Sequence, residues 1–410
     1  MAHTEKTKTI PIISPKYVSE FRCLGGECPD TCCADWTISI DKGTFGRYRR
    51  EVNPALKPLL RKHLTQDNKE SYSLHGTLQL REEDRHCPMH TGSGLCAIQQ
   101  HLGQAALSNT CFIFPRVFFS FGERTEQHLT LSCPEAARLA LTTEDPFRFV
   151  TTDVTTRPAV VGQLRSSATF SLDAMDQVRT FAVQLFQTPA LSNIERLAAL
   201  GWLSSQIDVM RAASSAQTAN GLISDMTAMV ETGALTKTVA ALSEQSSIGI
   251  TVFYILFKNP AASKRPPQHQ VVMDQVSVGL GLDGSRPLDL NELESKYRLG
   301  LSLLRQPSSI YEQIVSRYLL NEILREIFPW GETSAMLHFR KLLTRFGILR
   351  MMLAGVASCK GSSLDSATMV TVVQVFCRLY QHNSTFSEEA EKCLKDLEWN
   401  SLERLYTLLN

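Results

Sequence analysis

Apolar and polar positions follow two different rhythms along this chain of 410 residues, and the rhythm changes near Leu141. Before it, short alternating runs dominate. Trp36-Thr-Ile-Ser-Ile40 alternates with period two and predicts a short strand. Ser73 to Leu80 predicts one or two more, with a turn at His75-Gly76. Phe112 to Phe121 is aromatic and β-favouring; with Leu129 and Leu131 it predicts a hairpin turning near Gly122-Glu-Arg-Thr. Helices interrupt these strands. Asp41 is placed to cap one, with Phe45, Tyr48 and Leu56 as its inner face and Arg47, Arg49 and Arg50 as a solvated or a binding face. Cys96 to Leu107 predicts another, and Cys133-Pro134-Glu135 opens a third with proline at the first helical position. Residues 1–22 predict an extended lead-in anchored by Ile10 to Ile13 and Tyr17 to Phe21.

Residues 142–170 are rich in Thr, Ser, Asp and Pro and predict a domain boundary. Beyond it helical periodicity takes over, at 174–187, 194–213, 222–242, 310–327, 333–353, 367–380 and 388–408. Ile248 to Phe257 is apolar all round, as in a buried helix. Asn259 to Leu290 carries four prolines and predicts a large loop or lid. The expected fold is mainly α, with a small α+β cysteine-rich N-terminal part. The expected domains are 1–141, metal-binding, and 142–410, mostly helical and carrying substrate and donor.

Composition narrows the classes. With 43% hydrophobic and 20% charged residues and a net charge of +1, the chain has no footprint of nucleic-acid binding. No window approaches eighteen uninterrupted apolar residues, so no membrane span is expected. The first residues lack the apolar run of a secretory signal, so a reducing cytoplasm is the expected location.

That location changes the meaning of the cysteines. Eight of the eleven lie in 23–133: Cys23, Cys28, Cys32, Cys33, Cys87, Cys96, Cys111 and Cys133. In a reducing compartment thiols stay thiols, which favours metal ligation over disulfides. Gly25 and Gly26 let the first loop turn tightly, so that several thiolates can converge. Cys96 and Cys133 sit at helix starts, where free amides favour a thiolate. Cys32 and Cys33 are adjacent, so a single ion does not readily use both; one can ligate while the other serves a second site or stays redox-active. Paired C-x2-C zinc knuckles are absent. His86 and His90 flank Cys87 and could add zinc ligands, but sulfur-only, irregular spacing fits an iron–sulfur cluster better. The radical-type C-x3-C-x2-C loop is broken, because Cys33 follows Cys32 directly.

Several short motifs in order carry a resemblance: Cys23-x4-Cys28-x3-Cys32-Cys33-x2-Trp36, Cys87-Pro88, Gly94-Leu95-Cys96, Thr110-Cys111, Phe114-Pro115-Arg116 and Leu131-Ser132-Cys133-Pro134-Glu135-Ala136-Ala137. Over about 17–140 the chain resembles the flagellin lysine N-methylase family; its early part also resembles a wider group of zinc- or iron-chelating proteins. The resemblance implies a cytoplasmic enzyme moving methyl groups from S-adenosylmethionine to flagellin lysines before export. It also implies a 4Fe-4S cluster held by some of the eight cysteines. The competing readings are a non-catalytic zinc- or iron-binding interaction module and a disulfide-bonded structural protein.

Methyl transfer needs a neutral amine, and deprotonating a lysine of ordinary pKa near pH 7.5 costs about 4 kcal/mol. Phe112, Phe114, Phe118, Phe119 and Phe121 could line a desolvating channel, or simply pack. Arg116 could pair with the donor's carboxylate, with the cluster's charge, or in a structural salt bridge. Gly279-Leu-Gly281-Leu-Asp-Gly284 fits G-x-G-x-x-G, but without a strand–helix unit around it a plain loop is the stronger reading.

Overall fold

A computed structural model describes residues 7–67, 73–213, 219–242, 247–257, 266–282, 284, 287–306, 309–381 and 384–409. The chain divides into two compact units, one of 1–139 with 147–163, the other of 140–146 with 164–410.

The first unit holds both sheets. Strand β1 (Lys8–Pro15) runs into the short helix α1 (Lys16–Glu20). Then come β2 (Ile38–Ile40), α2 (Lys42–Arg49), α3 (Lys57–His63), β3 (Leu64–Gln66) and β4 (Gly76–Leu78). Two short helices, α4 (Ala97–Leu102) and α5 (Asn109–Ile113), lead to β5 (Arg116–Phe121) and β6 (Arg124–Leu129). Helix α6 (Pro134–Thr142), β7 (Phe149–Thr156) and β8 (Val161–Leu164) follow. The larger sheet has the order β7-β1-β6-β5-β8, with β1 antiparallel to β7 and parallel to β6. The smaller has the order β2-β4-β3, all antiparallel.

Most local expectations hold in this unit. Asp41 caps α2 by accepting the Thr44 amide at 2.8 Å, and Phe45 and Tyr48 point inward. β5 and β6 form the hairpin, turning at Gly122-Glu123. Three differ. His75-Gly76 does not turn a hairpin: Gly76 starts β4, whose partners are β2 and β3. The helix expected to run on to Leu107 stops at Gly103, which has φ 78°. Inside the Thr-rich stretch 142–170, residues 149–156 form β7, paired with β1 along its whole length, as β-branched Thr and Val favour.

The second unit is helical: α7 (Leu172–Gln187), α8 (Asn193–Ala213), α9 (Ala219–Glu231), α10 (Ala234–Leu242), α11 (Ser247–Phe257), α12 (Pro267–Leu280), α13 (Leu290–Leu304), α14 (Ser309–Arg325), α15 (Ala335–Lys360), α16 (Ser366–Phe376), α17 (Ser384–Asp396) and α18 (Leu402–Thr407). Helix α15 is the axis of this unit. It is long and apolar enough to cross a bilayer, but 89% of its most apolar stretch is buried in the unit. Helices α12 and α13 lie so close to α15 that a Cβ on Gly279 would stand 1.8 Å from the Gly355 carbonyl oxygen, and one on Gly300 2.0 Å from that of Ala354.

This packing corrects the lid reading of 259–290. Residues 258–265 lie outside the described set, but 267–280 form α12, with Pro266 and Pro267 opening the helix. Gly279 belongs to that helix contact and Gly281 ends the helix with φ 71°, so the glycine pattern belongs to helix packing and capping.

Candidate functional site

Five of the eight early cysteines come together in the first unit. Cys32, Cys33, Cys87, Cys96 and Cys111 line one cavity of about 80 Å³, with Trp36, Tyr48, Leu78 and Met89 among its other walls. They arrive on four separate segments, and backbone bonds hold those segments together. The Cys87 amide donates to the Cys33 carbonyl at 2.6 Å, Ala34 bridges to His86, and His90 bridges to Cys96. Trp36 Nε1 donates to the Cys32 carbonyl at 2.6 Å. The first cysteine loop is pinned by glycine: a Cβ on Gly26 would lie 2.5 Å from the Ser93 carbonyl oxygen, and one on Gly94 2.9 Å from the Gly26 Cα.

The segment bearing Cys111 is held from two sides. Ser108 caps α5, accepting the Cys111 amide at 3.4 Å, and Thr110 Oγ1 donates to the Ser39 carbonyl at 2.9 Å. Beneath it lies Arg157, 2% exposed, which donates to the Leu107 carbonyl at 3.0 Å, Asn109 Oδ1 at 2.8 Å and the Ala105 carbonyl at 2.9 Å. Its guanidinium sits 4.1 Å from the centre of the Phe112 ring. Tyr48 completes the clamp, its hydroxyl donating to the Ala106 carbonyl at 2.9 Å. Sequence reading missed Arg157, which follows β7 in the stretch taken for a boundary.

The other three early cysteines form a second group. The Cys28 thiol feels the charges of Cys32 and Cys23, and the Cys133 thiol those of Cys28 and Cys32, so Cys32 neighbours both groups. Arg116 stands beside Cys23 and Cys133, with its guanidinium 5.2 Å from the Phe21 ring centre. Among the described residues no carboxylate pairs with it, which removes the structural salt bridge.

Electrostatics sets these thiols against nucleophilic work. Burial pushes Cys87, Cys111 and Cys133 up to about 12 and raises Cys28 and Cys96. Amides of Glu135 and Ala136 do favour the Cys133 thiolate, and those of Ile98 and Gln99 the Cys96 thiolate, as helix starts suggested. Burial outweighs them. Burial thus favours the thiol form at Cys28, Cys87, Cys96, Cys111 and Cys133.

All eleven cysteines are free thiols, so the disulfide reading finds no bond here. Among the described residues no three His, Cys, Asp or Glu side chains stand close enough to hold a metal ion. His86 and His90 stack on each other, ring centres 4.9 Å apart. Of the phenylalanines, Phe114 lines the cysteine cavity and tilts against Trp36 at 5.7 Å. Phe118, Phe119 and Phe121 are buried, and Phe119 stacks on the buried His128 at 5.4 Å.

Comparison with known proteins gives a consistent picture. A lysine-N-methylase of Salmonella choleraesuis (strain SC-B67) is 33% identical over 138 residues, which is 34% of this chain and 34% of that protein. One from Salmonella typhimurium (strain LT2) is 32% identical over the same shares. The flagellar biosynthetic protein FliU of Salmonella muenchen is 34% identical over 142 residues, covering 34% of this chain and 81% of its own length. The matched region thus spans about one third of the lysine-N-methylases. No solved structure matches. The family model of the FliB lysine N-methylase C-terminal domain matches residues 179–408, more than half of the chain, and the chain belongs to the FliB lysine N-methylase family.

Proposed function

We propose that this chain transfers methyl groups from S-adenosylmethionine to ε-amines of flagellin lysines in the cytoplasm, with an iron–sulfur cluster held in the cysteine-lined cavity of the first unit. Family membership and the names of the relatives support the methyl transfer and the flagellar substrate. The observation that carries the cluster is the convergence of Cys32, Cys33, Cys87, Cys96 and Cys111 on one small, largely apolar space.

The donor set fits such a group. It is sulfur-only, offers one thiol more than the four a cluster uses, and lies in a small, largely apolar cavity. A mononuclear site pulls thiolates to within bonding distance of one ion. A polynuclear core stands between its ligands, which suits thiols that face a common cavity without touching. When bound, the cluster would supply redox-active iron and the positive charge needed to hold these thiols ionised. Arg116 stands beside Cys23 and Cys133, outside the lining of that cavity.

The transfer itself is a displacement. The neutral lysine nitrogen forms a bond to the methyl carbon as the carbon–sulfur bond breaks. The sulfonium leaves as the thioether S-adenosylhomocysteine, and the methylated ammonium sheds its proton to solvent. The chain's own residues must exclude water and keep the amine neutral.

Oxygen-protected full-length chain incubated with flagellin and S-adenosylmethionine is expected to give S-adenosylhomocysteine and methylated lysines by mass spectrometry. A colourless, zinc-loaded chain that transfers no methyl group would overturn this reading in favour of a binding module.

A further inference from the structure

A cleft of about 650 Å³ opens in the second unit between the 186–196 segment and helix α14. Ligand sites commonly have this size. On the α14 wall stand Glu312, Gln313, Ser316 and Arg317; Glu312 and Ser316, and Gln313 and Arg317, are four apart and so neighbours on the helix surface. Phe186, Pro189 and Leu191 supply an apolar wall on the other side.

The floor is built rather than incidental. Asn193, 3% exposed, donates to the Glu312 carbonyl at 3.0 Å and to Glu312 Oε2 at 2.7 Å. Its Oδ1 accepts from Arg196 Nη1 at 3.1 Å, and that nitrogen also donates to Ser316 Oγ at 3.0 Å. The rest of the Arg196 fork goes to the Leu185 carbonyl at 3.1 Å and the Thr188 carbonyl at 2.8 Å. Such a closed network fixes the carboxylate and hydroxyl of the wall in place. Glu312, Gln313 and Arg317 line the cleft; Arg317 Nη1 is anchored on the Leu141 carbonyl at 2.7 Å and feels the charge of Asp145.

A carboxylate and a guanidinium on one wall select a ligand carrying both signs. A lysine side chain alone would meet Arg317 as a like charge, and a nucleotide phosphate would meet Glu312 the same way. A free α-amino acid head satisfies both, and the apolar wall asks for a flat group attached to it. We propose that this cleft binds S-adenosylmethionine, with its carboxylate on Arg317, its ammonium on Glu312 and its nucleoside along Phe186, Pro189 and Leu191. The assignment rests on the methyl-transfer reading above, which supplies a ligand of this chemistry.

Calorimetric titration of the full chain with S-adenosylhomocysteine tests it. Arg317→Ala and Glu312→Gln are each expected to weaken binding at least tenfold. Ala190→Trp, which fills the cleft from an exposed position without touching the network, is expected to abolish it while the melting temperature stays unchanged. Arg298→Ala, on α13 outside the cleft, is the control and is expected to bind as the parent does. Affinity within twofold of the parent in Ala190→Trp, or no binding by the parent, overturns the proposal. Methyl transfer to flagellin is scored separately. Parent transfer with an unmoved Ala190→Trp affinity removes the cleft and keeps the function; binding lost in the variants with no transfer by the parent does the reverse.

Discussion

Arg157 holds Asn109 Oδ1 at 2.8 Å, and through that bond the end of strand β7 fixes the start of the helix that carries Cys111. The cysteine cavity therefore depends on a residue far from it in sequence. Arg157→Leu leaves the buried Leu107 carbonyl without its donor and frees Asn109 and the Ala105 carbonyl, at a cost of about 1–3 kcal/mol. Urea unfolding followed by a first-unit probe such as Trp36 fluorescence is expected to show that loss, with bound iron falling alongside. Arg157→Lys is expected to restore little, because an ammonium does not reproduce the fork.

Serine substitution sorts the cysteines. Cys87→Ser, Cys96→Ser and Cys111→Ser are expected to lose most of the iron in anaerobically purified protein, because their thiols line the cavity. Cys359→Ser and Cys393→Ser, in the second unit, are expected to keep it. Equal iron in all five variants would end the assignment.

In the second unit, Glu326 meets Arg345 Nη1 at 2.6 Å and Arg325 Nη2 at 2.5 Å. Burial alone would raise its pKa, but Arg345 and Arg325 overrule it and hold the carboxyl well below its ordinary 4.5. A depressed folded pKa contributes stability above the unfolded value and loses it as pH falls through the folded one. The parent's unfolding midpoint is thus expected to fall steadily below pH 4.5. Glu326→Gln is expected to flatten that acid limb and to cost about 3–5 kcal/mol near neutrality, since two buried guanidinium groups lose a partner. Chemical denaturation at stepped pH reads both effects.

The glycine pattern at 279–284 separates packing from ligand binding. Gly279→Ala forces a Cβ to within 1.8 Å of the Gly355 carbonyl oxygen, and helices α12 and α15 must part. A loss of about 2 kcal/mol or more is expected. Gly284→Ala, in open space with φ 76°, is expected to cost only about 1 kcal/mol of backbone strain. Neither substitution is expected to change S-adenosylhomocysteine affinity once the protein is folded. A specific tenfold loss at Gly284 would revive the nucleotide-loop reading.

How much of this was legible in the sequence depends on how local each feature is. The Asp41 cap, the β5–β6 hairpin and the proline start of α6 are written within a few residues, and periodicity marks most of the long helices. Helix 222–242 hid a break, because Gly233 with φ 69° ends α9 before α10 begins. Helices α12 and α13 escaped because prolines at 266, 267 and 287 resemble a loop, while the helix-forming contact with α15 comes from residues 354–355. The cysteines announced themselves by count and spacing. Their division into five around a cavity and three beside Arg116 did not, since it depends on backbone pairs such as Cys87 with Cys33. Arg157 and the Asn193–Arg196–Glu312 network were invisible for the same reason: their partners lie about 50 and 120 residues away.

Iron and acid-labile sulfide per chain, measured on freshly isolated oxygen-protected protein, test the central claim most directly. About four of each per folded chain, with broad absorbance near 400 nm, is the expected result. Folded chain that methylates flagellin while holding neither iron nor sulfide would contradict the account.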